Sequence, residues 1–346
     1  MVQRYTIGLF ANMYPAFEGD YRGIFIGQMV RDLELRGITV KKAVKTSSSV
    51  AGYCPFFLQS LSLARDKDLD LMQAEYIPHS SLVPSLFKRK DIPLVLKFHG
   101  DDARIYPFKN RFNLLVTRTM FNVASHVITG SEEMRMILIG LGLHPGKVSA
   151  IHTGVDVSFF VPQSKEKTRE LLGLLPGSTI FLFVGRLHPW KGIGEILDVA
   201  KRSPQIRFFF IGPGTIPSHP ENCTFLGTQT PDIVRMWMNA ADCLLLPTYT
   251  ESVPTSVMEA FACGIPAITS NVGGCPEIVE QGKNGLLIPP RDASSLYDAV
   301  VWMNQNPESR TKMGEQARRT VLERYDHNNL TENLIRVHRS LIDFEE

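Results

Sequence analysis

Short apolar runs alternate with helical patterns along almost the whole chain, and this alternation limits the fold more than any other feature. Five runs in the first half read as buried strands: YTIGLF, ITVKKAV, LDLMQAEY, PLVLKFHG and HVITGS. Between the first two lies a helical pattern with one apolar face, formed by Ile26, Met29, Val30 and Leu33. Strands separated by helices form parallel sheets that are covered on both faces. The first half therefore predicts a doubly wound α/β domain.

A second series of strands begins after about residue 160 and reads TIFLFVGRL, IRFFFIGPG, CTFLGT, DCLLLPT, PAITS and GLLIPP. Helical patterns, PTSVMEAFAC and SSLYDAVVWM, accompany them. The turn-rich and then charged stretch TGVDVSFFVPQSKEKT separates the two series and predicts a linker. At 346 residues the chain also exceeds one ordinary core. We expect two Rossmann-like domains, residues 1–157 and 158–326, that face a central cleft and bind ligands at the carboxyl ends of their strands.

Composition excludes several classes of protein. With 44% hydrophobic and 21% charged residues the chain is globular, and the apolar runs are too short to cross a membrane. Residues 1–157 contain 19 Lys/Arg and 14 Asp/Glu, a mild excess that suits an anionic partner or an ordinary solvated face but falls short of a nucleic-acid-binding signature. The five cysteines form no CxxC pair and no cleavage signal follows the amino terminus. We therefore expect a cytoplasmic protein without disulfides or zinc.

Three glycine-containing loops follow strands of the second series. FVGRLHPWKG places Gly185, Arg186 and Lys191 directly after a strand, where two cations suit a diphosphate. FFIGPGT repeats the arrangement with Gly212 and Gly214, and NVGGCPE provides a third such loop. A single glycine loop is more often a turn than a phosphate cradle. Three of them at equivalent strand ends, beside two cations, favour phosphate binding.

The stretch ESVPTSVMEAFAC contains two glutamates, one before a helix and one inside it. Ser252 suits the cap of this helix and Pro254 its first position. Glu259 would then lie about 7.5 Å further along the axis. Its neighbours Val257 and Phe261 mark a face that must meet the sheet, so Glu259 fits there only if a ligand occupies the space. The alternative is that Glu251 and Glu259 are two surface glutamates.

The motifs GRLHPWKG, FIGPG and DCLLLPTYTESVPTSVMEAFACGIPAITSNVGGCPEIVEQGKNGLLIPPRD, taken in order, resemble those of retaining GT-B glycosyltransferases of family four. In the first half the resemblance extends to YPAFEGDYRGIF, FHGDD and SEEMRMILIGLGLHPGKVSAIHTGVDVSFFVP. It implies that Arg186 and Lys191 hold the donor diphosphate, that Glu259 holds the nucleotide ribose and that Glu251 holds hydroxyls of the donated sugar. It also implies that His99 lies beside the donor sugar.

The same resemblance completes the expected donor site with Gly185, Gly212, Gly214, Thr255 and Ser256. In the first domain a glycine would let the loop approach the phosphates. Many family members have two adjacent glycines there, whereas this chain has EGDYRG, so the glycine is either Gly19 or Gly23. The resemblance further implies that the final helix, residues 327–346, packs on the first domain.

As a function, the resemblance implies transfer of a sugar from a nucleotide-diphosphate sugar to an acceptor hydroxyl with retained configuration. The acceptor would be a carbohydrate or a lipid-linked molecule of cell-envelope, exopolysaccharide or glycolipid synthesis, and neither a metal nor a resident cofactor is expected. The basic, aromatic segment 104–121 could rest on the inner face of an anionic membrane, or it could be an ordinary helix on the sheet.

Several rival interpretations remain at this point. DKDLD (66–70) has the Asp-x-Asp pattern of a metal site, but it lies far from the phosphate motifs. GLGLHPG (140–146) resembles a dinucleotide fingerprint but follows a helical run instead of a strand. A glycosidase would need two carboxylates about 5 Å apart as nucleophile and acid. The remaining alternatives are a sugar-nucleotide epimerase of the same architecture and a catalytically silent nucleotide-sugar-binding protein.

Overall fold

The computed structural model describes residues 4–17, 23–47, 49–174 and 177–342. The chain divides into two compact units: Met1–Thr153 with Asn328–Glu346, and Gly154–His327. The boundary expected from the sequence, 157/158, lies a few residues further along the chain. Val155 and Phe160, which fall in the expected linker, are buried in the core of the second unit. This stretch is therefore part of that unit and not a free connection.

The first unit contains a six-stranded, all-parallel sheet with the order β2-β1-β3-β4-β5-β6. Its strands are β1 (Thr6–Ala11), β2 (Thr39–Val44), β3 (Leu71–Glu75), β4 (Leu94–Phe98), β5 (His126–Thr129) and β6 (Val148–Ala150). The first five coincide with the five predicted runs. The sixth was not predicted, because its three residues, VSA, include only one large apolar side chain.

Helices cover both faces of this sheet. They are α1 (Ile24–Leu35), α2 (Tyr53–Ala64), α3 (Leu82–Phe87), α4 (Asp101–Arg104), α5 (Arg111–Val123) and α6 (Glu132–Gly140). Successive residues of β4 show the two-sided burial, since Leu94 and Leu96 belong to one apolar cluster and Val95 to another. The side chains of a strand alternate between the faces, so a strand covered on both sides must be apolar throughout.

The second unit contains another six-stranded parallel sheet, with the order β12-β11-β10-β7-β8-β9. Its strands are β7 (Ile180–Val184), β8 (Arg207–Ile211), β9 (Cys223–Phe225), β10 (Cys243–Leu246), β11 (Ala267–Ser270) and β12 (Gly285–Ile288). All six lie in predicted runs. The strand order reverses between β7 and β10, and such a switch point is where open α/β sheets bind ligands.

Seven helices belong to the described part of this unit. They are α7 (Lys165–Leu171), α8 (Ile193–Arg202), α9 (Pro231–Ala240), α10 (Thr255–Ala262), α11 (Cys275–Ile278), α12 (Ala293–Gln305) and α13 (Pro307–Arg324). The predicted fold class, two doubly wound α/β units, is confirmed. Cys223, Cys243, Cys263 and Cys275 are buried, as their apolar surroundings predict. Among the described residues, no helix combines the length and the apolar character needed to span a bilayer.

The final helix, α14 (His327–Arg339), contributes to the first unit. Its apolar face, with Leu330, Leu334 and Ile335, packs in the same cluster as β1. The helix also carries a completely buried histidine, His338. Its ring nitrogens form hydrogen bonds with Gln73 on β3 and with Tyr5, the residue directly before β1. A buried polar side chain needs such partners because leaving it unpaired costs free energy.

Candidate functional site

A cavity of about 350 Å³ opens at the carboxyl edge of the second sheet, at the switch point between β7 and β10. It contains most of the second-unit residues that the sequence singles out. Its lining consists of Phe160, Val184, Gly185, Arg186, Lys191, Gln229, Pro231, Val234, Leu246, Glu251, Val253, Pro254, Thr255, Ser256 and Glu259. The structure therefore brings together side chains from the loops after β7 and β10 and from α10.

The loops after β7 and β8 run in backbone contact. Gly185 N donates to Ile211 O at 2.9 Å, and Leu187 N donates to Pro213 O at 2.8 Å. A Cβ atom on Gly212 would overlap the Gly185 carbonyl, and one on Gly214 would lie 2.5 Å from the Leu187 carbonyl oxygen. Gly212 and Gly214 are thus explained by loop packing, and neither lines the cavity. Their contact with a donor stays a prediction.

Lys191 ends a single 3₁₀ turn, Pro189–Lys191, that is fastened to the loop after β10. The Trp190 carbonyl accepts hydrogen bonds from Tyr249 N at 2.7 Å and from the Thr248 hydroxyl at 3.1 Å. The next residue, Gly192, has a φ of 72°, and a Cβ atom there would overlap the Pro247 carbonyl. Only glycine fits this left-handed close approach without strain. The Lys191 side chain therefore extends from the loop after β7 towards the loop after β10.

Lys191 and Glu251 form an ion pair in the cavity. Lys191 Nζ lies 2.5 Å from Glu251 Oε2, and the two side chains are 27% and 14% exposed. Glu251 Oε1 also accepts from Ser252 N at 3.1 Å, and the Glu251 carbonyl accepts from Gly274 N at 3.3 Å. The third glycine loop therefore holds the backbone of Glu251. Each charged group of the pair compensates the other in a partly desolvated site.

Arg186 lies at the exposed side of the same cavity. Within the described part of the chain, its guanidinium has no hydrogen-bond or ion-pair partner. An unpaired arginine beside a paired lysine leaves the cavity with surplus positive charge. A planar guanidinium fits phosphate oxygens with two parallel hydrogen bonds.

The amino terminus of α10 points into the cavity, and its cap differs from the predicted one. The helix starts at Thr255 with Pro254 in the cap position, and no side chain caps it, so the assignment of Ser252 to the cap was wrong. Thr255 N donates to Val253 O at 2.9 Å. Ser256 N, by contrast, has no partner among the described residues. An uncapped helix start leaves amide groups available to an anion.

Glu259 lies on the second turn of α10 and lines the cavity. Its carboxylate has no hydrogen-bond or ion-pair partner in the described residues. Burial raises the pKa of Glu259 from 4.5 to about 8, because no neighbouring donor or cation offsets the loss of hydration. Glu259 is partly buried, and a largely desolvated carboxyl group without partners is costly to the folded protein. A carboxyl group in this position can accept hydrogen bonds from a molecule with hydroxyl donors.

The first unit contains the other predicted site residues. His99 follows β4, and its Nε2 lies 2.5 Å from the buried Glu75. Gly23 has a φ of 62°, and a Cβ atom on it would lie 2.7 Å from the Met13 carbonyl oxygen, so its own loop requires glycine. Gly19 lies outside the described residues. The contacts of His99 and of the two glycines with a donor stay predictions.

The DKDLD segment is accounted for by internal contacts. Lys41 Nζ binds Asp66 and Asp68 at 2.8 and 3.0 Å, and Asp70 accepts from Thr6 N at 2.7 Å. Among the described residues, no group of three His, Cys, Asp or Glu side chains is placed to hold a metal ion.

Sequence reasoning missed the apolar part of the cavity. Phe160, Pro231 and Val234 line it together with Gln229. Phe160 was not predicted because it lies in the expected linker. Pro231 and Val234 were not predicted because the amphipathic pattern of α9 does not indicate which of its residues line a cavity. The signal that existed was the proline-initiated helix start TPDIV directly after a short strand and loop.

Family models match both halves of the chain. Residues 9–159 match the model described as Glycosyltransferase Family 4, and residues 164–320 match the model described as Glycosyl transferases group 1. Both matches fall on the doubly wound units described above.

Curated relatives share about a third of the residues or fewer. D-inositol 3-phosphate glycosyltransferase 2 of Catenulispora acidiphila is 31% identical over 220 residues, which make up 57% of this chain and 52% of that protein. TuaC of Bacillus subtilis, named as a glycosyltransferase of teichuronic acid biosynthesis, is 28% identical over 274 residues, 77% of this chain and 70% of that protein. The match thus spans about half the length of the first relative.

Solved structures share the fold. Sucrose-phosphate synthase from Thermosynechococcus elongatus superposes with a TM-score of 0.82 at 20% identity, covering 98% of this chain and 99% of that one. The Anabaena protein HepE, solved in complex with UDP-glucose, gives 0.78 at 19% identity, with 97% and 100% covered.

The raised pKa of Glu259 predicts a pH dependence of stability. Between pH 4.5 and about 8 the folded state keeps a proton that the unfolded state has lost, so the free energy of unfolding falls as the pH rises through this window. Glu259→Gln removes the titrating group and should lose that slope, being more stable than the parent at pH 8 and similar at pH 4.5. Urea unfolding followed by tryptophan fluorescence measures it, because Trp190, Trp237 and Trp302 all lie in the second unit.

Glu323→Gln is the matched control, since this glutamate is exposed on α13 of the same unit. It should keep the slope of the parent protein. Parallel curves for the parent and Glu259→Gln between pH 4.5 and 8 would show that Glu259 is not desolvated.

Proposed function

We propose, since the chain belongs to the GT-B glycosyltransferases of family 4, that it transfers a sugar from a nucleotide-diphosphate sugar to an acceptor hydroxyl with retention of the anomeric configuration. One observation carries the proposal. Two cations, a free helix start and a carboxyl group without partners all line one cavity at the switch point of the second sheet. These are the groups that a sugar attached to a diphosphate and a ribose would use.

The diphosphate is the leaving group, and negative charge grows on it as the glycosidic bond breaks. In the proposal, Arg186, Lys191 and the free N–H of Ser256 receive its oxygens. Donors fixed in place before the reaction stabilise that charge without reorganisation. Because the protein supplies this charge, the proposal invokes neither a metal nor a resident cofactor, and activity should persist in EDTA.

The two glutamates have separate roles in the proposal. Glu259, without partners on α10, accepts hydrogen bonds from the ribose hydroxyls. Glu251 accepts hydrogen bonds from hydroxyls of the donated sugar, after Lys191 turns from it towards the diphosphate. The Lys191–Glu251 ion pair, at 2.5 Å, is thus a contact that the donor would replace on both sides.

The names of similar proteins suggest which substrates to test first. HepE was solved with UDP-glucose, and the curated relatives are named for inositol phosphate and teichuronic acid chemistry. We therefore propose a uridine diphosphate sugar as the first donor to test. A carbohydrate or lipid-linked hydroxyl compound is the proposed acceptor. A thermal-shift screen of nucleotide sugars serves this choice, because a ligand at 100 times its Kd stabilises a protein by about 2.7 kcal/mol.

Lys191→Ala should fold normally and lose most of its turnover. Removing one preorganised contact to the developing charge typically costs a factor of about 100 in kcat. The measurement is release of nucleoside diphosphate in the presence of acceptor. Lys201→Ala, which removes a lysine that is 64% exposed on α8, is the control and should keep full activity.

Near-full turnover by Lys191→Ala would remove this lysine from the reaction. Absence of turnover in the parent protein, despite a thermal shift with a nucleotide sugar, would favour the silent binding protein. Conversion of the nucleotide sugar without any acceptor would favour the epimerase.

The anomeric configuration of the product tests the stereochemistry. The proposal has the acceptor attack from the face that the diphosphate leaves, with the leaving phosphate taking the acceptor's proton. NMR of the glycoside formed in the first turnovers should therefore show the configuration of the donor. An inverted linkage would contradict the proposed mechanism while leaving the donor site intact.

An exposed apolar and basic surface on the first unit supports a contact with anionic lipid. We define it as Phe108, Lys109, Arg111, Phe112 and Leu115, all exposed. Phe108, Phe112 and Leu115 are 61%, 70% and 63% exposed. Residues three apart on a helix share a side, so Phe112 and Leu115 lie next to each other on α5. Aromatic side chains with flanking cations suit the interface of an anionic bilayer.

Sedimentation with vesicles containing phosphatidylserine tests this contact. The parent protein should sediment in low salt and less so in high salt, and Leu115→Ser should reduce binding. Leu171→Ser is the matched control, because Leu171 is 76% exposed on the second unit and lies outside this surface. Equal sedimentation of both variants, or none by the parent protein, would rule out the proposed contact.

A further inference from the structure

A continuous chain of hydrogen bonds crosses the interior of the first unit. It consists of Tyr5, His338, Gln73, Glu75 and His99, and we call it the polar chain. The Tyr5 hydroxyl lies 3.1 Å from His338 Nδ1, and His338 Nε2 lies 2.7 Å from Gln73 Oε1. Gln73 Nε2 donates to Glu75 Oε1, and Glu75 Oε2 lies 2.5 Å from His99 Nε2. It therefore joins α14 to the loop after β4.

Glu75 is the charged member of the polar chain. It is completely buried at the end of β3, which opposes ionisation, yet the Lys97 ammonium and the hydrogen bond from His99 hold the pKa of Glu75 below its usual range. Lys97 itself is 6% exposed. An ionised carboxylate only accepts hydrogen bonds. Both neighbours of Glu75 must therefore donate to it.

This requirement fixes every other proton of the chain. Gln73 must turn its NH2 group to Glu75, which leaves its carbonyl oxygen facing His338. His338 Nε2 must then carry a proton, and His338 Nδ1 accepts from the Tyr5 hydroxyl. Burial lowers the pKa of His338 to about 3, in agreement with a neutral ring that has one donor and one acceptor nitrogen.

The other end of the chain is His99. Its Nε2 must carry a proton because it faces Glu75, and within the described residues its Nδ1 has no partner. The ring is held between Tyr76 and Phe25, with ring centroids at 4.4 and 5.0 Å. Tyr76 adopts a φ of 64°, which is costly for a bulky residue. Orientation and tautomer of His99 are thus both fixed.

We infer that Glu75, Gln73 and His338 are positioning residues that hold His99 in its Nε2–H tautomer, so that Nδ1 is presented as an acceptor to a hydroxyl group of a bound sugar. The inference rests on the proposed function, because that function supplies the sugar. It assigns to the last helix of the chain a part in arranging a side chain that follows β4. His99 is the residue that would touch the substrate, and the other three act through it.

A purely structural role makes different predictions. If the polar chain only anchors α14, disrupting it lowers the stability of the protein, and its effect on transfer does not depend on whether His99 is present. If it positions His99, changes in Glu75 have no further effect once His99 has been removed. A double-mutant cycle separates the two cases, because residues that act through one another are not additive.

The first experiment needs no substrate. Long-range proton–nitrogen NMR of the 15N-labelled full chain should show both His99 and His338 protonated at Nε2. Glu75→Gln keeps the shape but replaces a carboxylate by an amide, which must turn its NH2 group to either His99 or Gln73. At least one of the two histidines should therefore switch to the Nδ1–H tautomer. Glu34→Gln, on the exposed side of α1, is the control and should leave both unchanged.

A parent protein with His99 protonated at Nδ1 would overturn the inference. So would a Glu75→Gln variant in which neither histidine changes. Both results concern the ligand-free protein, so they leave the proposed function untouched.

The second experiment measures transfer. If NMR shows that Glu75→Gln moves the His99 proton to Nδ1, this variant should lower kcat about tenfold, the loss expected when a hydrogen bond is misdirected. If only His338 switches, kcat should stay near the parent value. Affinity for the nucleoside diphosphate should not change. In the His99→Ala background the same substitution should cause no further loss. An additive loss, or an unchanged kcat in a Glu75→Gln protein whose His99 has switched to the Nδ1–H tautomer, would refute the positioning role even if the protein transfers sugar. If the parent protein transfers none, the proposed function fails, and the NMR result still decides how His99 is held.

Discussion

The candidate site depends on close backbone contact between loops at the carboxyl edge of the second sheet. Gly212 and Gly192 occupy positions where a Cβ atom would overlap the carbonyls of Gly185 and Pro247. Glycine is therefore required there to let the loop after β7 lie against its neighbours on both sides. This packing carries Lys191 from the β7 side to within 2.5 Å of Glu251 on the β10 side.

The polar groups of the cavity are only partly paired with one another. One cation and one carboxylate neutralise each other, while Arg186, the amide of Ser256 and the carboxyl group of Glu259 have no partners among the described residues. Folded proteins rarely leave a carboxyl group such as that of Glu259 unpaired in a largely desolvated place, and where they do, the position is commonly functional. In the proposed function, the unpaired positive groups bind the phosphates of a nucleoside diphosphate and the unpaired acidic group binds its ribose.

Much of the fold and part of the candidate site could be predicted from the sequence, because strand runs and strand-end motifs are local signals. The fold class followed from them, as did the position of Arg186 and Lys191 at one strand end, whereas the grouping of Glu259 with these cations followed from the resemblance to family-four glycosyltransferases. Contacts between distant segments left no such signal. The packing role of Gly212 needs the position of the neighbouring loop, and the polar chain joins residues more than 200 positions apart. The prediction that Ser252 caps α10 was wrong for a different reason. The backbone N–H of Ser252 donates to the Glu251 carboxylate, and its side chain does not cap the helix.

Calorimetric titration with nucleoside diphosphates at pH 7, in two buffers of different ionisation enthalpy, tests the central claim most directly. Glu259 holds a proton at this pH because of its raised pKa, about 8, and ribose hydroxyls that donate to the ionised form should expel it. The account predicts that binding releases up to about one proton in the parent protein and none in Glu259→Gln. Binding with the same proton count in both proteins, or no binding of any nucleoside diphosphate, would contradict it.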